Sequence, residues 1–223
     1  MSTALVIFAK APVAGLAKTR MIPALGPQGS AGLAQQLLLH AVQQAAQVPW
    51  DALELCVSPD TTHPAFAQAQ HIAQKIGKDP RQGHLSLSVQ GDGDLGARMH
   101  RALVRGLSRH SAVLLMGTDA PGLNATVLQQ AAQALQMHDA VFVPAHDGGY
   151  ALVGLRQPVP ELFEGMVWST ASVMAETRTR THQAGLRWCE LAPVHDMDEP
   201  TDLHHLPPDW PNRSHLLQAV PSP

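Results

Sequence analysis

Short, continuously apolar runs set between helical stretches constrain this chain more than any other feature of its sequence. Thr3–Ala9 (TALVIFA) and Ser111–Gly117 (SAVLLMG) carry no charge. Runs of this kind describe strands covered on both faces; a strand with one wet face would alternate instead. Further strands are predicted at Ala52–Ser58, Leu85–Gln90, Asp139–Ala145, Tyr150–Leu155 and Leu186–Leu191. Helical segments separate them. One spans 26–47, with Ser30 as its N-cap and Leu33, Leu37, Ala41 and Ala45 repeating every fourth residue. Others span 62–77, closed by Gly77, 94–107, capped by Asp94, and 169–185. A further helix starts at Asn124, with Leu123 and Leu128 placed as a hydrophobic staple. Alternation of strands and helices predicts an α/β fold with a mainly parallel sheet.

At 223 residues the chain suits one domain, taken as 1–206, followed by a proline-rich tail, 207–223, expected to wrap the surface or fray. With 15% charged and 45% hydrophobic residues it is globular, and a formal charge of -3 offers no global basis for binding nucleic acid. Cys56 and Cys189 lie far apart in apolar surroundings and read as two buried thiols in a reducing compartment. The first apolar run is short for a signal peptide, and no stretch approaches the roughly 20 residues of a membrane span. The expectation is a cytoplasmic protein with no membrane partner.

In parallel α/β sheets ligands bind beyond the carboxyl ends of the strands, so the loops that follow strands deserve the closest reading. The first is Phe8–Met21 (FAKAPVAGLAKTRM), where Lys10, Lys18 and Arg20 gather around Gly15. Converging cations with an accessible backbone suit a di- or triphosphate, although a solvated surface loop could carry the same residues. A Walker A loop is excluded, because Ala17 stands directly before Lys18 where that motif needs glycine. Asp119, just past the strongest strand in LLMGTDAPGL, is placed to hold Mg²⁺ or Mn²⁺ against phosphate oxygens, or else to form an Asx-turn. Asp147, Gly148, Gly149 and Tyr150 make either a hairpin turn or a loop for hydroxyl recognition, and the two are compatible.

In HDMDEPTDL, Asp196 and Asp198 are two apart and point the same way on extended chain. Either could complete a metal site with Asp119; alternatively Thr201 caps a short helix whose start the acids favour. His195 is a further candidate. Gln90 and Arg98 flank a strand-to-helix junction suited to phosphate, and Trp168 reads as packing. No HExxH, CxxC or GxSxG pattern occurs, which argues against zinc and serine chemistry.

Taken in order, FAKAPVAGLAKTRM, GDLGARM, GTDAPGL, PAHDGGYALVGL, WST and DMDEPTDL resemble a bacterial domain-of-unknown-function family, number 2064. Some of its members are labelled radical-SAM/selenodomain-associated transferases or arsenosugar-type glycosyltransferases. The likeness runs from about Ala4 to Leu203 and implies a single-domain glycosyltransferase-A (nucleotide-diphospho-sugar transferase) fold with a Rossmann-like sheet and a divalent metal. By position it makes Lys10, Lys18 and Arg20 the phosphate loop, Asp119 the metal acid, and Asp147–Tyr150 the acceptor loop. Two departures stand out: Thr118 precedes a lone Asp119 in place of the Asp-x-Asp of many glycosyltransferases, and Ala14 replaces the proline usual before the loop glycine. The expected activity is metal-dependent transfer of a sugar from a nucleotide-diphospho-sugar to a small acceptor, with Asp147 as general base. The alternatives are nucleotidyl transfer from an NTP to a small phosphorylated or carboxylated acceptor, and nucleotide binding without catalysis.

Overall fold

The computed structural model describes residues 1–77 and 84–220. Its strands are β1 (Thr3–Lys10), β2 (Ala52–Ser58), β3 (Leu85–Val89), β4 (Ala112–Gly117), β5 (Ala140–Pro144), β6 (Tyr150–Leu155) and β7 (Trp188–Glu190). They form one sheet in the order β3-β2-β1-β4-β6-β5-β7. Only β6 runs against its neighbours β4 and β5; the remaining pairs are parallel. The helices are α1 (Ile22–Ala45), α2 (Pro64–Ile76), α3 (Leu95–Leu107), α4 (Ala125–Ala134), α5 (Val173–Gln183) and α6 (Arg213–Gln218).

Alternation along β1 divides the core. Leu5, Ile7 and Ala9 face one layer with α1, α2 and α4, whereas Ala4, Val6 and Phe8 face a second layer with α3 and the start of α5. The chain first winds outward from β1 to β3 and then returns to the other side of β1 as β4. The strand order therefore reverses between β1 and β4, and a crevice must open beyond their carboxyl ends. Lys10 ends one of these strands and Gly117 the other.

Local chemistry fixes most boundaries as expected. Asp94 accepts a hydrogen bond from the Ala97 amide at 2.8 Å, and Asn124 from the Val127 amide at 3.0 Å. Two expected caps are replaced. The long arm of α1 begins at Pro27 after a kink at Gly26 (φ 68°), because proline without an N–H suits a first helical turn. Ser30 lies fully buried within that helix. At Pro200–His205 a 3-10 turn is opened by Glu199 and Asp202 in a reciprocal capping box, not by Thr201. Cys56 is buried as expected; Cys189 is only partly so.

The segment after Pro207 packs as far as it is described; 221–223, the end of the expected tail, lie outside the described residues. Trp210 and Val220 join Met21, Leu33, Leu37, Met197, Leu203 and Leu206 in a third apolar cluster. The Trp210 indole N–H donates to Gln36 Oε1 at 3.2 Å. Trp210→Phe is expected to cost about 1–2 kcal/mol through lost volume and this hydrogen bond, read by denaturant unfolding. An unchanged unfolding midpoint would show that the segment contributes nothing to the fold. Among the described residues no helix is long and apolar enough to cross a membrane.

Candidate functional site

A cavity of about 580 Å³ opens at the β1/β4 switch point. Lys10, Lys18, Arg20 and Arg98 line it together with Asp119, Asp147, Asp196 and Asp198. Phe8, Met99, Leu115, Tyr150 and Trp168 add apolar lining. Gln90 and Gly149 also reach the lining. Gly15 and Gly148 do not, and their conformations explain their presence: φ is +82° at Gly15 and +93° at Gly148, a region costly for other residues. Gly148 is further confined by the Ala171 backbone, and its carbonyl accepts from the Met174 amide at 2.8 Å.

The acids come from three segments stitched together by backbone hydrogen bonds. Asp119 follows β4, and its carbonyl accepts from the Met197 amide at 2.9 Å. Met197 is fully buried, so the extended chain turns Asp196 and Asp198 together toward the cavity. Upstream, the Val194 amide donates to Pro144 O at 2.9 Å and the His146 amide to Val194 O at 3.1 Å, which ties the same segment to the β5–β6 turn. Asp202 Oδ2 accepts from the backbone amides of Asp198 (3.0 Å) and Glu199 (2.7 Å), fixing the Asp198 backbone. Asp147 is a turn residue, its Oδ1 accepting from the Gly149 amide at 2.8 Å, and it lines the cavity as well.

Lys18 keeps company other than a free phosphate contact would. Its ammonium lies 2.9 Å from Asp119 Oδ1 and 2.9 Å from Asp198 Oδ1. Burial alone would lower its pKa, but the two carboxylates outweigh burial and raise it, so the ammonium stays charged. Its backbone occupies the left-handed region (φ 48°, ψ 50°), a conformation that costs on the order of 1 kcal/mol and aims the side chain inward. Arg20 is well exposed, 3.9 Å from Glu199, and Lys10 is exposed at the end of β1.

Gln90 acts chiefly as a brace. Its Nε2 donates to Ala9 O (2.9 Å) and Cys56 O (3.2 Å), and its Oε1 accepts from Arg98 Nη1 at 3.1 Å. It thereby joins the ends of β1 and β2 and orients Arg98. Trp168, expected to pack, both packs and lines the site: its ring is edge-on to Tyr150 at 6.4 Å. Its buried Nε1 finds no hydrogen-bond partner among the described residues. Burial raises the Tyr150 pKa, so its phenol remains neutral. His195 lies outside the cavity lining, stacked between His146 (3.9 Å) and His205 (3.5 Å); burial and then these imidazoles lower its pKa.

Burial, followed by the negative charge of Asp147, pushes the Asp196 pKa up from 3.8 to about 6. The folded state therefore holds its proton more tightly than the unfolded state. Stability falls as pH rises through that window, and the cost is complete above the folded value. Asp196 is partly exposed, so the cost after screening is about 1 kcal/mol. Asp196→Asn is expected to melt above wild type at pH 7.5 and level with it at pH 4, in melts without added divalent ions. A higher variant Tm at both values would contradict this assignment.

Could these acids hold Mg²⁺ or Mn²⁺? Among the described residues no three His, Cys, Asp or Glu side chains form a ligand set by themselves. Asp119 and Asp198 nevertheless already share a cation, the Lys18 ammonium, as a stand-in. Two hard oxygen donors in one cavity with Lys10, Arg20 and Arg98 suit magnesium, which commonly takes one or two carboxylates plus phosphates and water. Asp196 lies outside the Lys18 contacts.

The sheet and its crevice define a nucleotide-diphospho-sugar transferase fold. Residues 28–170 match the family described as uncharacterized protein conserved in bacteria (DUF2064), and the chain belongs to that family. A candidate nucleotide-diphospho-sugar transferase from Desulfovibrio desulfuricans G20 superposes with a TM-score of 0.81 at 29% identity, covering 98% of this chain and 95% of that one. CMP:2-keto-3-deoxy-manno-octonic acid synthetase complexed with CTP shares the fold at 14% identity (TM-score 0.55; 98% and 99% covered). So does glucosyl-3-phosphoglycerate synthase from Mycobacterium tuberculosis with Mg²⁺ and UDP, at 10% identity (TM-score 0.51; 90% and 73% covered). No functionally curated protein matches the chain significantly.

Proposed function

We propose that this protein is a metal-dependent glycosyltransferase that moves a sugar from a nucleotide-diphospho-sugar to a small acceptor. The observation that carries the reading is one cavity at the switch point whose lining brings four cations and four carboxylates together. Lys10, Arg20 and Arg98 would hold the diphosphate, with the Gln90 brace keeping Arg98 in place. Asp119 and Asp198 would hold Mg²⁺ or Mn²⁺, which supplies charge neutralisation for the departing diphosphate. The acceptor oxygen attacks the anomeric carbon, the carbon–oxygen bond to the β-phosphate breaks, and the nucleoside diphosphate leaves toward the cations. The acceptor's proton passes to the Asp147/Asp196 carboxylates, and burial with the charge of Asp147 pushes Asp196 up to about 6. Cation-lined walls stabilise the leaving group where its charge develops. The likeness to a UDP- and Mg²⁺-bound synthase supports the reading at the level of the fold.

A second reading is nucleotidyl transfer, favoured by the lone Asp119 behind Thr118 and by the likeness in fold to a CTP-bound synthetase. There an acceptor attacks the α-phosphate of an NTP and pyrophosphate leaves. Phosphorus NMR of the protein with Mn²⁺-free Mg²⁺ buffer, mixed NDP-sugars and mixed NTPs separates the two. Slow release of an NDP from one NDP-sugar, with water as acceptor, is the expected result. Release of pyrophosphate from an NTP, with every NDP-sugar intact, would replace the first reading with the second.

A further inference from the structure

Lys18 spans the two acids proposed to hold the metal. The ammonium is 2.9 Å from Oδ1 of both Asp119 and Asp198. Its side chain is only 7% exposed, against 53% and 40% for the two carboxylates. The loop beneath it is fastened: the Ala17 amide donates to Val13 O at 2.9 Å, and the Met21 amide to Lys18 O at 2.9 Å. Movement is therefore easiest in the side chain, a flexible four-carbon stem carrying a compact charge. A divalent ion approaching this pair meets an ammonium already in contact with both carboxylates, and like charges at that range repel strongly.

We infer that Lys18 is an internal counter-ion that keeps the metal site closed until a diphosphate draws it away, making metal and nucleotide binding interdependent. The inference rests on the metal site of the proposed function and adds to it a residue that controls when the site opens. A diphosphate seated by Lys10, Arg20 and Arg98 offers the ammonium another anionic partner inside the same cavity. Once Lys18 turns to it, Asp119 Oδ1 and Asp198 Oδ1 are freed together. No covalent bond changes and no proton moves; one cation is exchanged for another at the same pair of oxygens. Metal without diphosphate then binds weakly, and each ligand strengthens the other by the same factor.

The test measures Mn²⁺ binding by electron paramagnetic resonance on the full chain, with UDP as the diphosphate probe. Lys18→Met alone is expected to bind Mn²⁺ at least about tenfold more tightly than wild type alone, and Lys18→Met/Asp119→Asn to lose that gain. Adding UDP to wild type is expected to recover tight Mn²⁺ binding. Lys18→Gln, which keeps a polar end on a similar stem, serves equally should Lys18→Met fold poorly. Equal or weaker Mn²⁺ binding by the Lys18 variants, with Asp119→Asn still abolishing it, overturns the interlock and leaves the metal site standing. No Mn²⁺ binding by any of these proteins, with or without UDP, overturns both.

Discussion

Asp119→Asn is expected to lower release of nucleoside diphosphate from the preferred donor by about a hundredfold to a thousandfold, while the protein stays folded with nearly unchanged stability. The first half follows from position. Asp119 is the acid at the end of β4, where the strand order reverses, and shares the Lys18 ammonium with Asp198. Its loss would remove one of the two carboxylates proposed to hold the metal beside the departing diphosphate. The second half follows from exposure. The Asp119 side chain is 53% exposed, so its ion pair is screened and contributes about 1 kcal/mol at most. Lys18 also keeps its 2.9 Å contact to Asp198 in the variant. Asparagine is nearly isosteric, and the backbone bond from the Met197 amide to the Asp119 carbonyl does not involve the side chain. Donor turnover together with a melt distinguishes chemistry from collapse. A variant with wild-type turnover would remove Asp119 from the mechanism.

Gly148→Ala destabilises the protein by about 3 kcal/mol or more, a Tm loss of roughly 10 °C at this size. Two independent causes add. The backbone has φ +93°, outside the ground an L side chain accepts at low cost. A Cβ would also stand 2.6 Å from Ala171 Cα and closer still to its carbonyl oxygen, and backbone on both sides leaves little room to yield. The damage is not confined to stability. The Gly148 carbonyl bonds the first turn of α5, and the turn presents Asp147 and Tyr150 to the cavity. Protein that still folds is expected to show a weakened acceptor response alongside the lower Tm. Thermal melts of Gly148→Ala beside Gly149→Ala check the first part, since a Cβ at Gly149 meets nothing nearer than the Asp147 side chain at 3.1 Å. Equal losses at the two glycines would contradict the argument.

Much of the fold was legible because its causes are local. Unbroken apolar runs in β1 and β4 report burial on both faces, and the caps at Asp94 and Asn124 need only three residues to close. The errors have local causes as well. Ser30 is a good capping residue, but Pro27 three residues earlier had already begun the helix. The prolines around Trp210 and α6 left open whether the tail wraps the surface or frays; burial of Trp210 against α1 depends on a surface that the local pattern does not describe.

Most of the candidate residues were readable as neighbours, because the loops that carry them follow strands in a fold that gathers strand ends. Their pairing was not. Lys18 read as one of three phosphate cations, yet it meets Asp198 from 180 residues away, and nothing local in either segment announces the other. Gln90 read as a ligand contact, whereas its amide is committed to the ends of two strands and to Arg98. Spacing correctly put Asp196 and Asp198 on the same side; it could not say which of them meets Asp119 across Lys18.

The central claim is that this cavity binds a nucleotide diphosphate and a divalent cation together, with Asp119 as the link. The most direct measurement is a thermal-shift matrix of NDP-sugars and NTPs, each with and without Mg²⁺, on wild type and Asp119→Asn. Ligand at a hundred times its Kd adds about 2.7 kcal/mol, a shift of roughly 5–10 °C for a chain of this length. The account predicts that one NDP-sugar stabilises wild type strongly with Mg²⁺, weakly without it, and that Asp119→Asn loses the Mg²⁺-dependent part. Equal stabilisation of both proteins, with or without Mg²⁺, would contradict it.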